Sequence, residues 1–209
     1  MAIAPLPPPT PLPLPDAELL LWRQCPLPAA PEALLERLVA ETPWRSETIT
    51  LWGQTYPQPR LLAWYGDPGS RYRYSRRTFE PLPWSELLRA LRDVVEEVSG
   101  SRFNSVLLNY YRDERDSMGM HADDEAELGP RPVIASLSLG EERTLVFRHR
   151  TRRELAPVRL PLPSGSLLLM AGETQRHWKH GIDKQRRPCG PRINLTFRQI
   201  RHTAPGADG

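Results

Sequence analysis

His121-Ala122-Asp123 sets an imidazole and a carboxylate two positions apart. On an extended segment, residues i and i+2 project from one face, so the pair can converge on a single point. A further histidine, His180, lies in a second extended stretch, Trp178-Lys179-His180-Gly181-Ile182. Two imidazoles and one carboxylate form a facial set that suits non-haem Fe(II) and leaves three positions open, enough for a bidentate co-substrate and O2. A zinc ion with one bound water and a nearby carboxylate base is the other chemistry these residue types allow. By themselves, a His and an Asp at this spacing also occur as surface residues or turn caps, so other residues must decide.

Arg192-Ile193-Asn194-Leu195-Thr196-Phe197-Arg198 alternates polar and apolar side chains. As a strand it puts Arg192, Asn194, Thr196 and Arg198 on one face. Two guanidinium groups inside an apolar β-domain are costly unless anions meet them. The planar fork of arginine matches a carboxylate in bidentate fashion. A dicarboxylate such as 2-oxoglutarate would answer both charges; an outward-facing edge strand is the alternative.

The elements that must position these groups are legible from periodicity. Pro31–Glu41 opens on proline and repeats leucine at helical spacing, which predicts a helix. Trp84–Val98 carries one apolar stripe, with Gly100 as a stop, and predicts a second. Strands are expected at 17–24, 47–52 and 60–65, the last followed by a turn at Gly66-Asp67-Pro68-Gly69. From residue 103 the period falls to two. Strands are then expected at 103–111, 132–139, 143–149, 158–162, 166–170 and 193–200, separated by Gly- and Pro-rich turns. This pattern is α+β dominated by β: a sandwich or jelly roll with the N-terminal helices on one side.

The chain has 209 residues, enough for one domain with a full core. Residues 1–15 are proline-dominated and are expected to form a disordered or polyproline tail, residues 16–201 the domain, and residues 202–209 a flexible end. Only two cysteines occur, Cys25 and Cys189, with no CxxC spacing. That excludes a disulfide scaffold and a thiolate metal site. No stretch approaches the roughly 18 to 20 apolar residues of a membrane span, and the N-terminus lacks the marks of a secretion signal. The expected protein is cytoplasmic, monomeric and without a membrane partner. A net charge of +3 is compatible with a polyanionic partner without requiring one.

Taken in order, Asn109-Tyr110-Tyr111-Arg112-Asp113, His121-Ala122-Asp123-Asp124-Glu125, Ile134–Gly140, Gly165–Met170, Trp178-Lys179-His180 and Arg192–Arg198 resemble the AlkB family of Fe(II)- and 2-oxoglutarate-dependent dioxygenases. The likeness runs from about residue 45 to 201 and looks closest to the animal DNA-repair homologues that act on duplex DNA. It implies a double-stranded β-helix, a cycle consuming O2, and iron held by His121, Asp123 and His180. By the same resemblance Asn109, Tyr111, Arg192, Thr196 and Arg198 hold 2-oxoglutarate, Arg192 at the distal carboxylate and Arg198 nearer the metal. Asp124 and Glu125 match positions close to the substrate base, where negative charge favours a cationic N-methylated base.

Trp52-Gly53-Gln54 matches the family's base-stacking wedge, although Trp52 could equally be a core residue at a strand end. Tyr72-Arg73-Tyr74 matches its substrate lid, with aromatics interleaved among Arg71, Arg73, Arg76 and Arg77. The basic stretch 143–153 and Lys184, Arg186 and Arg187 are expected to add backbone contacts. His177 is expected to point away from His180, while His149 and His202 decorate the surface or the nucleic-acid face. The implied activity is oxidative removal of alkyl groups from 1-methyladenine or 3-methylcytosine in DNA, with RNA as a further substrate and formaldehyde as product. The competing readings are the same cofactor chemistry on protein or lipid, and a non-catalytic jelly roll that only recognises nucleic acid.

Overall fold

The computed structural model describes residues 8–51, 54–70, 72–74 and 77–201. Along the chain run β1 (Thr10–Leu12), β2 (Glu18–Trp22), α1 (Pro31–Glu41), β3 (Arg45–Leu51), β4 (Gln54–Gly66), β5 (Tyr72–Tyr74), β6 (Arg77–Phe79), α2 (Glu86–Ser99), β7 (Ser105–Tyr111), β8 (Met118–His121), β9 (Ile134–Gly140), β10 (Arg143–His149), β11 (Val158–Leu162), β12 (Leu167–Ala171), α3 (Thr174–His177), β13 (Trp178–Ile182) and β14 (Arg192–Arg198). An eight-stranded sheet in the order β1-β2-β12-β9-β14-β7-β4-β3 faces a four-stranded sheet in the order β11-β10-β13-β8, with β5 and β6 paired apart from both. Both sheets are antiparallel, and together they make the expected double-stranded β-helix.

Alternation along the central strands sorts the side chains into layers. Ala135, Leu137 and Leu139 of β9 and Ile193, Leu195 and Phe197 of β14 turn toward Leu34 and Leu38 of α1 and Leu87, Leu88, Leu91 and Val95 of α2. The opposite face meets the small sheet. There Tyr111, Ile134, Leu168 and Met170 pack against Leu145, Phe147, Leu162, Trp178 and Ile182. The polar face of β14 points into this inter-sheet layer, so the site lies between the sheets and the helices brace the outer side.

Local chemistry sets the helix ends. The Ser85 hydroxyl accepts from the Leu88 N–H at 3.2 Å, so α2 begins at Glu86 and not at Trp84. Trp84 stays outside the helix and its indole donates to Asp67 in the preceding turn at 2.8 Å. Gly100 closes α2 at φ 65°, a conformation glycine adopts without strain.

One expectation is overturned. The proline-rich stretch is built into the fold from residue 10 onward instead of trailing as a tail to residue 15. β1 pairs with β2, Thr10 opposite Leu21 and Leu12 opposite Leu19. The Trp178 indole donates to the Pro15 carbonyl at 2.8 Å, and Leu12 and Leu14 pack on the inter-sheet core. Proline is tolerated because β1 is an edge strand, where a missing N–H costs the ladder least. Residues 202–209 lie outside the described residues.

Candidate active site

β8 and β13 are antiparallel neighbours with His121 directly opposite His180. Their rings lie 4.4 Å apart. The strands approach closely there because residue 181 is glycine: a Cβ would sit 2.8 Å from the Met118 carbonyl. Two residues past His121, the Asp123 carboxylate reaches the same point, its Oδ2 3.6 Å from His180 Nε2. One donor atom from each of the three residues lies within 4.8 Å of the others.

Protonation states suit ligation. His121 Nδ1 is 2.9 Å from the Gly119 carbonyl. A carbonyl only accepts, so Nδ1 carries a proton and Nε2 is the ring nitrogen left for a metal. Burial pushes the His180 imidazolium down to about 3, leaving the ring neutral. For Asp123 burial acts upward, but Arg198 above all, then the two histidines, hold its carboxyl below the usual carboxylate range. Arg198 grips Oδ1, whereas buried Oδ2 has no hydrogen-bond partner. A buried anionic oxygen left open beside two imidazole rings fits a divalent cation.

The adjoining cavity runs inward along β14 and is lined by Asn109, Tyr111, Ser136, Arg192, Asn194, Thr196 and Arg198, with apolar walls at Leu145, Leu162 and Met170. Arg192 is 1% exposed; its Nη2 donates to the Ser138 hydroxyl at 2.9 Å, and its guanidinium lies over the Tyr111 ring at 5.3 Å. Its Nε and Nη1 have no hydrogen-bond partner, and burial lowers its pKa to about 10. A carboxylate would relieve both conditions. Asn109 accepts from Arg60 at 2.8 Å, and the Thr196 hydroxyl donates to Asn194 at 2.9 Å. The five residues expected around the keto-acid thus share one cavity.

His121, Asp123 and Arg198 also wall a second, open cleft of about 500 Å³, together with Arg45, Glu47, Gln58, Arg60, Met120 and Glu125. This is the size of a small-ligand site. Glu125 lines it. Asp124 does not: its half-exposed carboxylate pairs with Arg150 at 2.6 Å, and alternation carries it away from Asp123. Arg143 corrects the expectation of a surface cation, being 1% exposed with its Nη2 donating to the carbonyls of Asp116 and Asp183. Lys184, Arg186 and Arg187 are exposed as expected. Trp52 and Gly53 lie outside the described residues, as do the side chains of Tyr72, Arg73 and Tyr74; Gln54 is exposed and accepts from the Tyr56 hydroxyl.

His149, expected at the surface, has a side chain only 2% exposed. It clusters with Asp16 and His177, a second group with metal-ligand spacing. Its chemistry differs from that of the first. The Thr151 and Arg152 backbone N–H groups donate to His149 Nδ1 at 3.3 and 3.0 Å, so the ring proton sits on Nε2, facing Asp16 at 3.3 Å. Asp16 and His149 are thus a close pair without a hydrogen bond between them, and the Nδ1 lone pair is taken up by the backbone.

Sequence reasoning passed over five buried polar residues near the site. Ser136 and Ser138 alternate within an apolar strand, a visible signal. Gln58 and Arg60 do the same on β4. Gln175, which accepts from the Asp123 N–H, left no such trace.

Residues 20–198 match the model of the 2OG-Fe(II) oxygenase superfamily. The chain is an AlkB-like member of that superfamily. Among its relatives, alpha-ketoglutarate-dependent dioxygenase alkB homolog 3 of Rattus norvegicus is 45% identical, over 84% of this chain and 62% of that protein. DNA oxidative demethylase ALKBH2 of Homo sapiens is 44% identical, over 73% and 60%. The chain therefore spans about three fifths of the length of these relatives, and identity does not separate the two. The solved structure titled "The structure of OsALKBH1" superposes with a TM-score of 0.62 at 16% identity, covering 87% of this chain and 97% of that one, which is agreement of fold. The superfamily's description names an iron(II) ion and 2-oxoglutarate, a cation of the kind the open Asp123 oxygen suits and an acid of the kind the buried Arg192 suits. Among the described residues no helix is long and apolar enough to cross a membrane.

Proposed function

We propose that this chain is an Fe(II)- and 2-oxoglutarate-dependent dioxygenase that removes alkyl groups from N-alkylated nucleic-acid bases, DNA foremost. The observation carrying the proposal is the shared wall. His121, Asp123 and Arg198 line both the cavity containing buried Arg192 and the neighbouring cleft, which is large enough for an extruded base. The similar proteins named as a DNA oxidative demethylase and an alpha-ketoglutarate-dependent dioxygenase support the choice of substrate.

His121 and His180 present neutral nitrogens and Asp123 an anionic oxygen, with Arg198 fixing the oxygen the metal does not use. Arg192 takes the distal carboxylate of 2-oxoglutarate, assisted by Tyr111 and Ser138. Asn109 and Thr196 line the space between. Bound iron supplies the oxidation, coupling decarboxylation of 2-oxoglutarate by O2 to hydroxylation of the N-alkyl carbon, after which the hydroxylated group leaves as formaldehyde. Glu125 provides negative potential for a cationic methylated base, and the apolar wall at Leu62, Trp64 and Leu82 limits water in the cleft. Trp52, Gly53 and Gln54 act as the wedge and Tyr72, Arg73 and Tyr74 as the lid. The working unit is residues 16–201 extended by β1, monomeric and cytoplasmic.

The test is mass spectrometry of oligonucleotides carrying 1-methyladenine or 3-methylcytosine, single- and double-stranded DNA and RNA, incubated aerobically with Fe(II) and 2-oxoglutarate. Loss of the methyl group with stoichiometric succinate and formaldehyde is expected, and both should vanish in His121→Ala and Asp123→Ala. Succinate formation with every nucleic acid left methylated would overturn the substrate. Turnover retained in either variant would overturn the ligand set. Trp52→Ala should impair duplex more than single-stranded substrates, and equal losses would remove the wedge role.

A further inference from the structure

We propose that Gln175 is a positioning residue for the metal's carboxylate ligand: its side-chain oxygen holds the backbone of Asp123, and with Arg150 it makes α3 a clasp on the loop bearing that ligand. The inference rests on the metal reading of His121, Asp123 and His180.

β8 ends at His121, so Asp123 lies beyond the ladder that fixes the two imidazoles. Something else must hold its backbone, since a carboxylate whose main chain drifts cannot keep one oxygen on an ion. The Asp123 N–H donates to Gln175 Oε1 at 2.9 Å, with both residues at most 2% exposed. At the other end of the loop, Arg150 Nη1 joins the Asp124 carboxylate at 2.6 Å to the Gln175 backbone carbonyl at 3.2 Å. Residues 123 and 124 are thus tied to one glutamine, through its side chain and its main chain.

The clasp is itself anchored. The Thr174 hydroxyl accepts from the Glu18 N–H at 2.9 Å and donates to the Ala171 carbonyl at 2.6 Å, fixing α3 to β2 and β12. The Arg150 N–H donates to the His177 carbonyl at 2.8 Å. α3 runs directly into β13, whose third residue is His180. One short turn therefore sets the separation of the carboxylate from the second imidazole, although Asp123 and Gln175 are 52 positions apart in sequence. This also gives Asp124 its use, as the anchor of the loop.

The experiment is Mn(II) titration of the full chain, without 2-oxoglutarate or turnover, followed by electron paramagnetic resonance. Gln175→Leu keeps an apolar side chain of comparable volume and removes the acceptor. Gln175→Glu keeps an acceptor oxygen at the same reach. Arg150→Gln cuts the clasp at its exposed end, where folding tolerates change. Groups that orient a ligand typically cost about 10–100-fold in metal affinity when removed. A loss of that order is expected in Gln175→Leu, a smaller one in Arg150→Gln, and recovery of most of it in Gln175→Glu. Wild-type affinity in both Gln175→Leu and Arg150→Gln would overturn the proposal, as would equal losses in the leucine and glutamate variants. Asp123→Ala runs in parallel: if it binds Mn(II) as well as wild type the metal reading fails, and if it loses Mn(II) while Gln175→Leu does not, only the positioning role fails.

Discussion

Arg192 carries a buried positive charge whose Nε and Nη1 lack hydrogen-bond partners, an arrangement that favours binding over stability. A hydrogen bond to a charged group is worth about 1.5–3 kcal/mol, or roughly 10–100-fold in affinity. Arg192→Met should therefore raise the KM for 2-oxoglutarate by about that factor. It should leave the melting temperature of the ligand-free chain unchanged or higher, because burying a cation is costly and an apolar side chain of similar length is not. Steady-state kinetics and calorimetry read the two effects separately, and a lowered melting temperature would mean the guanidinium is structural. At this scale the meeting of His121 with Asp123 and the shared inward face of Arg192 and Arg198 were legible, since i, i+2 spacing on an extended chain is a local property. The division between Asp124 and Glu125 was not. Two adjacent acids look alike in sequence, and the group that separates them, Arg150, comes from the turn that follows β10. Gln175 was invisible for the same reason: an isolated glutamine says nothing of a backbone N–H on a distant loop.

The longer elements were readable because burial imposes their period. α2 shows its buried stripe in the sequence; its start moved by two residues, by the local choice of Ser85 as cap, and its end by one. The N-terminal segment was misread because composition describes what a stretch prefers in isolation, whereas the sheet edge beside β2 and the indole of Trp178 decide what it does here. Removing residues 1–16 tests this directly. The deletion loses the Trp178–Pro15 hydrogen bond, worth about 1 kcal/mol, and part of the burial of Leu12 and Leu14, each worth at most about 1.5–3 kcal/mol. It also strips Asp16 from His149, a buried ring that then faces water or nothing. A net loss of roughly 2–4 kcal/mol is expected. At about 2–4 °C per kcal/mol for a domain of this size, the melting temperature should fall by about 5–15 °C. An unchanged transition would restore the view of a loose tail.

The site is a property of the whole chain, with groups drawn from Asn109 to Arg198 and from both sheets. An unfolded chain cannot assemble them, so cation and keto-acid should bind the native state almost exclusively and stabilise it by mass action. At a concentration of about 100 times Kd, each ligand contributes roughly 2.7 kcal/mol, or a rise of about 5–10 °C in melting temperature. Mn(II), which binds without turning over, should give such a rise in the wild type and in Arg192→Met but none in Asp123→Ala. 2-Oxoglutarate added at saturating Mn(II) should give a further rise in the wild type that Arg192→Met largely abolishes. The pattern across variants matters more than either shift, because it requires two ligands to report on two different walls of one site. A Mn(II) shift that survives Asp123→Ala and disappears in Asp16→Ala would move the cation to the Asp16–His149–His177 cluster, which can accept it only if His149 gives up the proton that its backbone contacts place on Nε2.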